Sequence, residues 1–256
     1  MTPVSSFQVP GVRDVRDVPG SLSFVVPAYN EEALIARAVG AIQFSARSAG
    51  APFEVIVVDD ASTDRTAAIA EAAGATVVRV NLRQIGAARN AGALAATGDT
   101  LVFVDADTFI TPAHANGVVA AMARGAVGGG AAAVFDDPVP WWAQKTLGVT
   151  VRLFRWAKLA AGSFLFCSKS AFEAVGGFDS ALYAAEEIAL SRALKRLRRG
   201  PFVVLREPVI TSGRKARTYT GREIARTWGG LLIRPWSVKR RDRLDMWYGP
   251  RRGDRQ

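Results

Sequence analysis

Val102-Phe103-Val104-Asp105-Ala106-Asp107 decides how the rest of the chain is read. A run of β-branched and aromatic residues favours a buried strand, and this one stops at two carboxylates one residue apart. At the end of a strand in an open α/β sheet, such carboxylates stand on the rim where ligands bind. Their hard oxygens suit Mg²⁺ or Mn²⁺, ions that complete their shell with substrate phosphates. A D-x-D triplet also occurs in ordinary surface turns, so its meaning depends on what surrounds it.

Upstream, strand and helix patterns alternate. Residues 23–27 read as a strand ending at Pro27. Asn30 is expected to cap the next helix, with Glu31 and Glu32 in its first turn and Leu34, Ile35, Ala38, Ala41 and Ile42 at helical spacing. Residues 53–58 form a second strand ending at Asp59-Asp60, and Ser62, Thr63 and Asp64 open a helix to about 73. A third strand covers 75–80, an Ala-rich helix 86–96, and a fourth strand 100–104. Such alternation implies a mostly parallel sheet with right-handed crossovers and helices on both faces. Thr111-Pro112 starts another helix, on which His114 is expected to be exposed.

Beyond this point the pattern changes. Gly128-Gly129-Gly130 reads as a turn before a strand at 131–135, and 141–161 as a longer helix. A strand at 163–167, a helix at 168–175, a turn at 176–179, a helix at 185–198 and a strand pair within 202–211 follow. The expected organisation is a flexible arm at 1–20, an α/β domain at 21–215, and a basic, partly helical extension at 216–256.

The net charge of +10 is unevenly placed. Residues 192–256 hold 19 Lys and Arg against 5 Asp and Glu, a charge of +14, which leaves −4 for the remainder (14 against 18). A basic quarter of this kind fits an anionic partner such as phosphate or an anionic membrane surface, and equally a solvated basic face. No nucleic acid is expected, because no recognised binding module is present. The single cysteine, Cys167, lies in an apolar run and reads as packing. No secretory leader and no apolar run of about 18 residues is visible, so the expected location is cytoplasmic, with peripheral contact at the inner face of the membrane. Trp141, Trp142 and Trp156 with nearby basic residues, and the 221–234 segment near Trp228 and Trp236, would suit that contact. Packing onto the core is the competing reading.

Three acidic pairs lie at element ends: Asp59/Asp60, Asp105/Asp107 and Glu186/Glu187. Carboxylates gathered on one rim repel one another unless a cation compensates. Arg89 and Asn90, within Gly86-Ala87-Ala88-Arg89-Asn90-Ala91-Gly92, can add a cation and an amide there; a surface helix charge is the alternative for Arg89. A dehydrogenase is excluded by the missing G-x-G-x-x-G after the first strand. A nucleotidyltransferase would carry a basic, Gly-rich loop there, whereas Pro27-Ala28-Tyr29-Asn30-Glu31-Glu32 is acidic. A non-catalytic scaffold protein is opposed by the intact acidic pairs.

That loop, Val57-Val58-Asp59-Asp60-Ala61-Ser62-Thr63-Asp64, the Gly86–Gly92 stretch and Asp105-Ala106-Asp107 together resemble the successive motifs of family 2 glycosyltransferases with the GT-A fold, over residues 22–215. The resemblance implies inverting transfer of a sugar from a nucleotide-sugar donor to a glycan or lipid-linked acceptor, assisted by Mn²⁺ or Mg²⁺. It places Pro27, Ala28, Tyr29, Glu31 and Asp59 on the nucleotide, Arg89 near base or diphosphate, Asp105 at ribose or metal, and Asp107 on the metal. It also implies a catalytic base at Glu186-Glu187, with Glu where the family commonly has Asp; Glu187 is preferred. First-turn stabilisation of a helix is the alternative for this pair. The family's further metal-ligand histidine is missing from 210–217. Either water completes the metal shell or Arg214, Lys215 and Arg217 stabilise the diphosphate.

Overall fold

The computed structural model describes residues 20–136 and 162–213. The expected arm, the 141–161 helix, the basic extension and Arg214, Lys215 and Arg217 lie outside the described residues. Among the described residues are ten strands, in two sheets, and six helices. The strands are β1 (Leu22–Ala28), β2 (Phe53–Asp60), β3 (Thr76–Val80), β4 (Thr100–Val104), β5 (Thr108–Phe109), β6 (Gly128–Gly130), β7 (Ala133–Phe135), β8 (Phe164–Ser168), β9 (Phe202–Val204) and β10 (Val209–Thr211). The helices are α1 (Ile35–Ser48), α2 (Thr66–Ala72), α3 (Ile85–Ala95), α4 (Pro112–Ala123), α5 (Lys169–Ala174) and α6 (Glu186–Arg196).

The main sheet runs β3-β2-β1-β4-β8-β6-β9, and a small sheet runs β5-β10-β7. β3, β2, β1 and β4 are mutually parallel, as the alternating pattern implied. β8 then inserts antiparallel between β4 and β6. The expected strand pair within 202–211 does not form, since β9 joins β6 in the main sheet while β10 pairs β5 and β7 in the small one.

A strand covered on both faces reads as a continuous apolar run, which is why β1 and β4 carry so few polar residues. On one face Phe24, Val26, Val57, Val102, Phe164 and Phe166 pack under α1 and α4. On the other, Val25, Ile56, Val58, Phe103, Leu165 and Cys167 pack under α3, with Phe172, Phe178 and Leu194. Cys167 is fully buried and burial pushes its thiol up, in accord with a packing role. α3 lies close to the sheet only because residue 92 is glycine: a Cβ there would stand 2.3 Å from Val25 Cγ1.

Three local expectations are corrected. Gly128–Gly130 is a buried strand, not a turn; a Cβ on Gly129 would meet the Val203 carbonyl oxygen at 2.1 Å, so close interstrand approach demands glycine. Asn30 does not cap α1, which begins at Ile35 with no acidic residue in its first turn. His114 is 1% exposed, not a surface residue; its Nδ1 accepts the Thr111 N–H at 3.0 Å and completes a capping box with Thr111. Burial holds its pKa below the ordinary imidazole value. Among the described residues no helix is long and apolar enough to cross a membrane.

Candidate active site at the carboxyl rim of the sheet

β1, β2 and β4 deliver their carboxyl ends to one edge. Ala28 is in register with Asp59, and pairing of β1 with β4 stops at Val25↔Phe103, two residues short of Pro27, which has no N–H to offer. Asp105 and Asp107 therefore emerge beside the Pro27–Glu31 loop. The loops after β1 and β2 are zipped together. Asn30 N–H donates to Ser62 Oγ at 2.9 Å, Thr63 N–H to Asn30 Oδ1 at 2.8 Å, and Glu31 N–H to Thr66 Oγ1 at 2.7 Å. Asp59 is buried and accepts the Ser62 N–H at 3.3 Å.

Asp60 organises the next loop rather than that one. Its Oδ1 accepts the N–H groups of Leu82 and Arg83 at 2.6 and 2.8 Å, and its Oδ2 accepts that of Gln84 at 3.0 Å. The fixed loop lays Arg83 over the Tyr29 ring, 3.7 Å from its centroid, a cation–π contact at the expected nucleotide site.

Asn30 (φ 52), Ala61 (φ 60) and Arg83 (φ 51) adopt the left-handed region just after β1, β2 and β3, and Ala185 (φ 63) does so just before α6. Each such residue costs roughly 1 kcal/mol. Four of them around one rim fit the tendency of backbone strain to gather at functional sites.

The D-x-D loop is pinned through its backbone. Asp105 N–H donates to the Ser163 carbonyl at 3.2 Å, Thr108 N–H to the Asp105 carbonyl at 2.9 Å, and Ser212 N–H to the Asp107 carbonyl at 3.0 Å. Both carboxylates are half-buried.

Arg89 is not a surface helix charge. Its side chain is 2% exposed, and it joins both sides of the site. Nη2 donates to Asp105 Oδ1 at 2.7 Å and to the Gly162 carbonyl at 3.0 Å. Nη1 donates to Glu186 Oε1 at 3.1 Å and to Glu187 Oε1 at 2.8 Å. Burial works against its charge, yet Asp105, Glu187 and Glu186 outweigh that and raise its pKa above the ordinary guanidinium value.

The two glutamates differ. The Glu186 side chain is 4% exposed and that of Glu187 15%. Burial pushes Glu186 up to about 8, with Glu187 adding repulsion and Arg89 opposing. Both stand in the first turn of α6, where the helix dipole favours negative charge.

Sequence reading missed how the start of α3 and Asn90 grip the segment at 178–182. Gln84 Nε2 donates to the carbonyls of Ser180 and Leu182, each at 2.8 Å. Asn90 exchanges two bonds with the Phe178 backbone, both at 2.9 Å. The Gly86–Gly92 spacing signalled a site, but not that its polar residues would reach residues almost a hundred positions later.

For a metal, the donors on hand are the Asp105 and Asp107 carboxylates. Among the described residues no group of three His, Cys, Asp or Glu could hold an ion, and His114 is occupied in its capping box. Two hard oxygen donors fit a divalent cation that draws its remaining ligands from phosphate and water.

A mostly parallel sheet whose carboxylate-lined rim closes on a buried arginine accords with a GT-A transferase scaffold. The family model "Glycosyl transferase family 2" matches residues 23–176, and the chain belongs to that family. It is 38% identical over 111 residues to an undecaprenyl-phosphate 4-deoxy-4-formamido-L-arabinose transferase of Pseudomonas paraeruginosa, covering 41% of this chain and 33% of the relative. It is 36% identical over 113 residues to a validoxylamine A glucosyltransferase of Streptomyces hygroscopicus, covering 40% and 24%. The chain thus spans a third or less of these two relatives. The fold matches a mannosyltransferase from Pyrobaculum calidifontis, solved with GDP-Man and Mn²⁺, at TM-score 0.63 and 20% identity, covering 86% of this chain and 64% of that one. It also matches glucosyl-3-phosphoglycerate synthase from Mycobacterium tuberculosis, solved with Mn²⁺, UDP and phosphoglyceric acid, at TM-score 0.54 and 22% identity, covering 83% and 82%.

Proposed function

We propose that this chain is an inverting glycosyltransferase that moves a sugar from a nucleoside-diphosphate donor to an acceptor hydroxyl, with Glu187 as base. The observation that carries it is the juxtaposition of Asp105 and Glu187 on one buried guanidinium, which sets a donor-side carboxylate beside an acceptor-side one. The donor's base and ribose lie along Pro27, Ala28, Tyr29, Glu31 and Asp59. Asp107 and Asp105 would hold a divalent cation, which supplies Lewis-acid relief of charge on the departing diphosphate.

Glu187 takes the proton from the acceptor hydroxyl as that oxygen attacks the anomeric carbon, and the bond to the diphosphate oxygen breaks with its electron pair. Glu186 is the poorer base because it is more deeply buried and its raised pKa leaves it largely protonated near neutrality. Residues 21–215 form the catalytic domain in this reading. A lipid-linked acceptor at an anionic membrane surface accords with the +14 charge of residues 192–256 and with the undecaprenyl-phosphate transferase among the relatives. In the same reading Arg214, Lys215 and Arg217 add positive charge for the diphosphate.

The test is calorimetric titration with UDP and GDP, with and without Mn²⁺, on the wild type and on Asp107→Ala. The expected result is metal-dependent binding of one nucleotide that the variant loses. A folded wild type that binds neither overturns the reading.

A further inference from the structure

The guanidinium of Arg89 is divided between two tasks. Nη2 is spent on Asp105 and the Gly162 carbonyl, and Nη1 on Glu186 and Glu187. Phe178 lies against it, with Cζ 5.3 Å from the ring centroid. Nε is buried and has no hydrogen-bond partner. All four hydrogen bonds run to residues that frame the reaction, and each nitrogen serves one side. A planar fork with fixed angles between its donors sets the separation of the groups it holds. The 2%-exposed side chain leaves little of itself to offer a nucleotide.

We propose that Arg89 is the positioning residue that fixes the base against the donor-side carboxylate, rather than a ligand of the donor. This inference rests on the transferase reading and deepens it. Gly162 belongs to the same device. Its carbonyl accepts from Nη2, and a Cβ at this position would stand 2.7 Å from Glu187 Oε1. The glycine thus leaves the Glu187 carboxylate room beside the guanidinium. Lysine at 89 would keep the charge but supply donors from a single point, so it could not hold both sides at their present spacing.

The experiment combines UDP and GDP titrations in the presence of Mn²⁺ with nucleotide release from UDP-glucose, UDP-N-acetylglucosamine and GDP-mannose. It uses the wild type, Arg89→Lys, Gly162→Ala, Glu187→Gln and the Arg89→Lys/Glu187→Gln double variant, each first checked for cooperative melting. Nucleotide affinity in Arg89→Lys and Gly162→Ala should stay within about threefold of wild type, since lysine keeps a cation beside Asp105 and Gly162→Ala leaves the guanidinium in place. Release should fall by about 10²-fold or more in both, the scale of a displaced general base. The double variant should release nucleotide no more slowly than Glu187→Gln alone, because a residue that acts through Glu187 has nothing left to lose there. Gly162→Ala keeps the test decisive if Arg89→Lys does not fold, because it moves Glu187 and leaves the guanidinium in place.

Roughly tenfold weaker nucleotide binding in Arg89→Lys, or losses that multiply in the double variant, would make Arg89 a donor ligand and overturn the proposal. A wild type that binds neither nucleotide strikes the transferase reading and this inference together. Wild-type binding with a tenfold loss in Arg89→Lys strikes this inference alone.

Discussion

Asp59-Asp60 at the end of β2 and Glu186-Glu187 at the start of α6 are both adjacent acidic residues on the same rim, and the fold treats them differently. Asp60 is met by three backbone N–H groups from residues 82–84, and Asp59 by one, from Ser62. Glu186 and Glu187 share one nitrogen of the Arg89 side chain, whose other terminal nitrogen serves Asp105. Backbone donors cannot leave without the loop leaving too. A shared guanidinium is a divisible resource, and the site divides it so that Glu186 goes inside and Glu187 keeps some access to solvent.

The contrast is sharpest in stability. Asp60→Ala removes the acceptor for three N–H groups, one of them on buried Gln84, and should cost about 3 kcal/mol in denaturant unfolding. A loss under about 1 kcal/mol would mean that water replaces the carboxylate and that backbone donors hold the loop no better than a side chain would.

The glutamate pair should respond to pH. Glu186 is raised from 4.5 to about 8, so the folded chain holds its proton more tightly than the unfolded chain does. Its contribution to stability is complete below pH 4.5 and is lost as pH rises to about 8. Between those limits the stability of the wild type should fall more steeply with pH than that of Glu186→Gln, measured by urea unfolding at several pH values. Parallel slopes would show that Glu186 is not held as a buried acid.

The smallest effect belongs to a carboxylate left in water. Arg65 pairs with Glu32 at 3.4 Å, with side chains 81% and 42% exposed. Arg65→Ala should change stability by no more than about 0.5 kcal/mol by thermal unfolding. A larger loss would place Glu32 with the structural carboxylates.

Much of the half from β1 to β4 was legible because its strands are continuous apolar runs and its helices repeat at helical spacing. The register that brings Ala28 beside Asp59 follows from those runs. The half after β4 was less so. Phe164–Ser168 is a short apolar run whose direction no pattern records, and its antiparallel insertion depends on the surface already built by β4. Gly128–Gly130 read as a turn because glycine usually marks one, whereas here it admits a neighbouring strand. The role of Asn30 depends on a backbone N–H 33 residues away, beyond the reach of local capping rules. Arg89 and the glutamates were each legible as candidates. Their union was not, because arginine is ordinarily exposed and nothing local reports that this one is buried.

Arg89 and Glu186 are separated by 97 positions in the chain, and that separation orders events in time. The parallel strands β1 to β4 are all synthesised before α6. At that stage Arg89 has only Asp105 to answer it, sixteen residues on. A nascent chain stopped before α6 therefore carries Arg89 without the two glutamates that balance it. In the proposed reading the base arrives with the closure of that imbalance, with only β9 and β10 among the described strands still to follow.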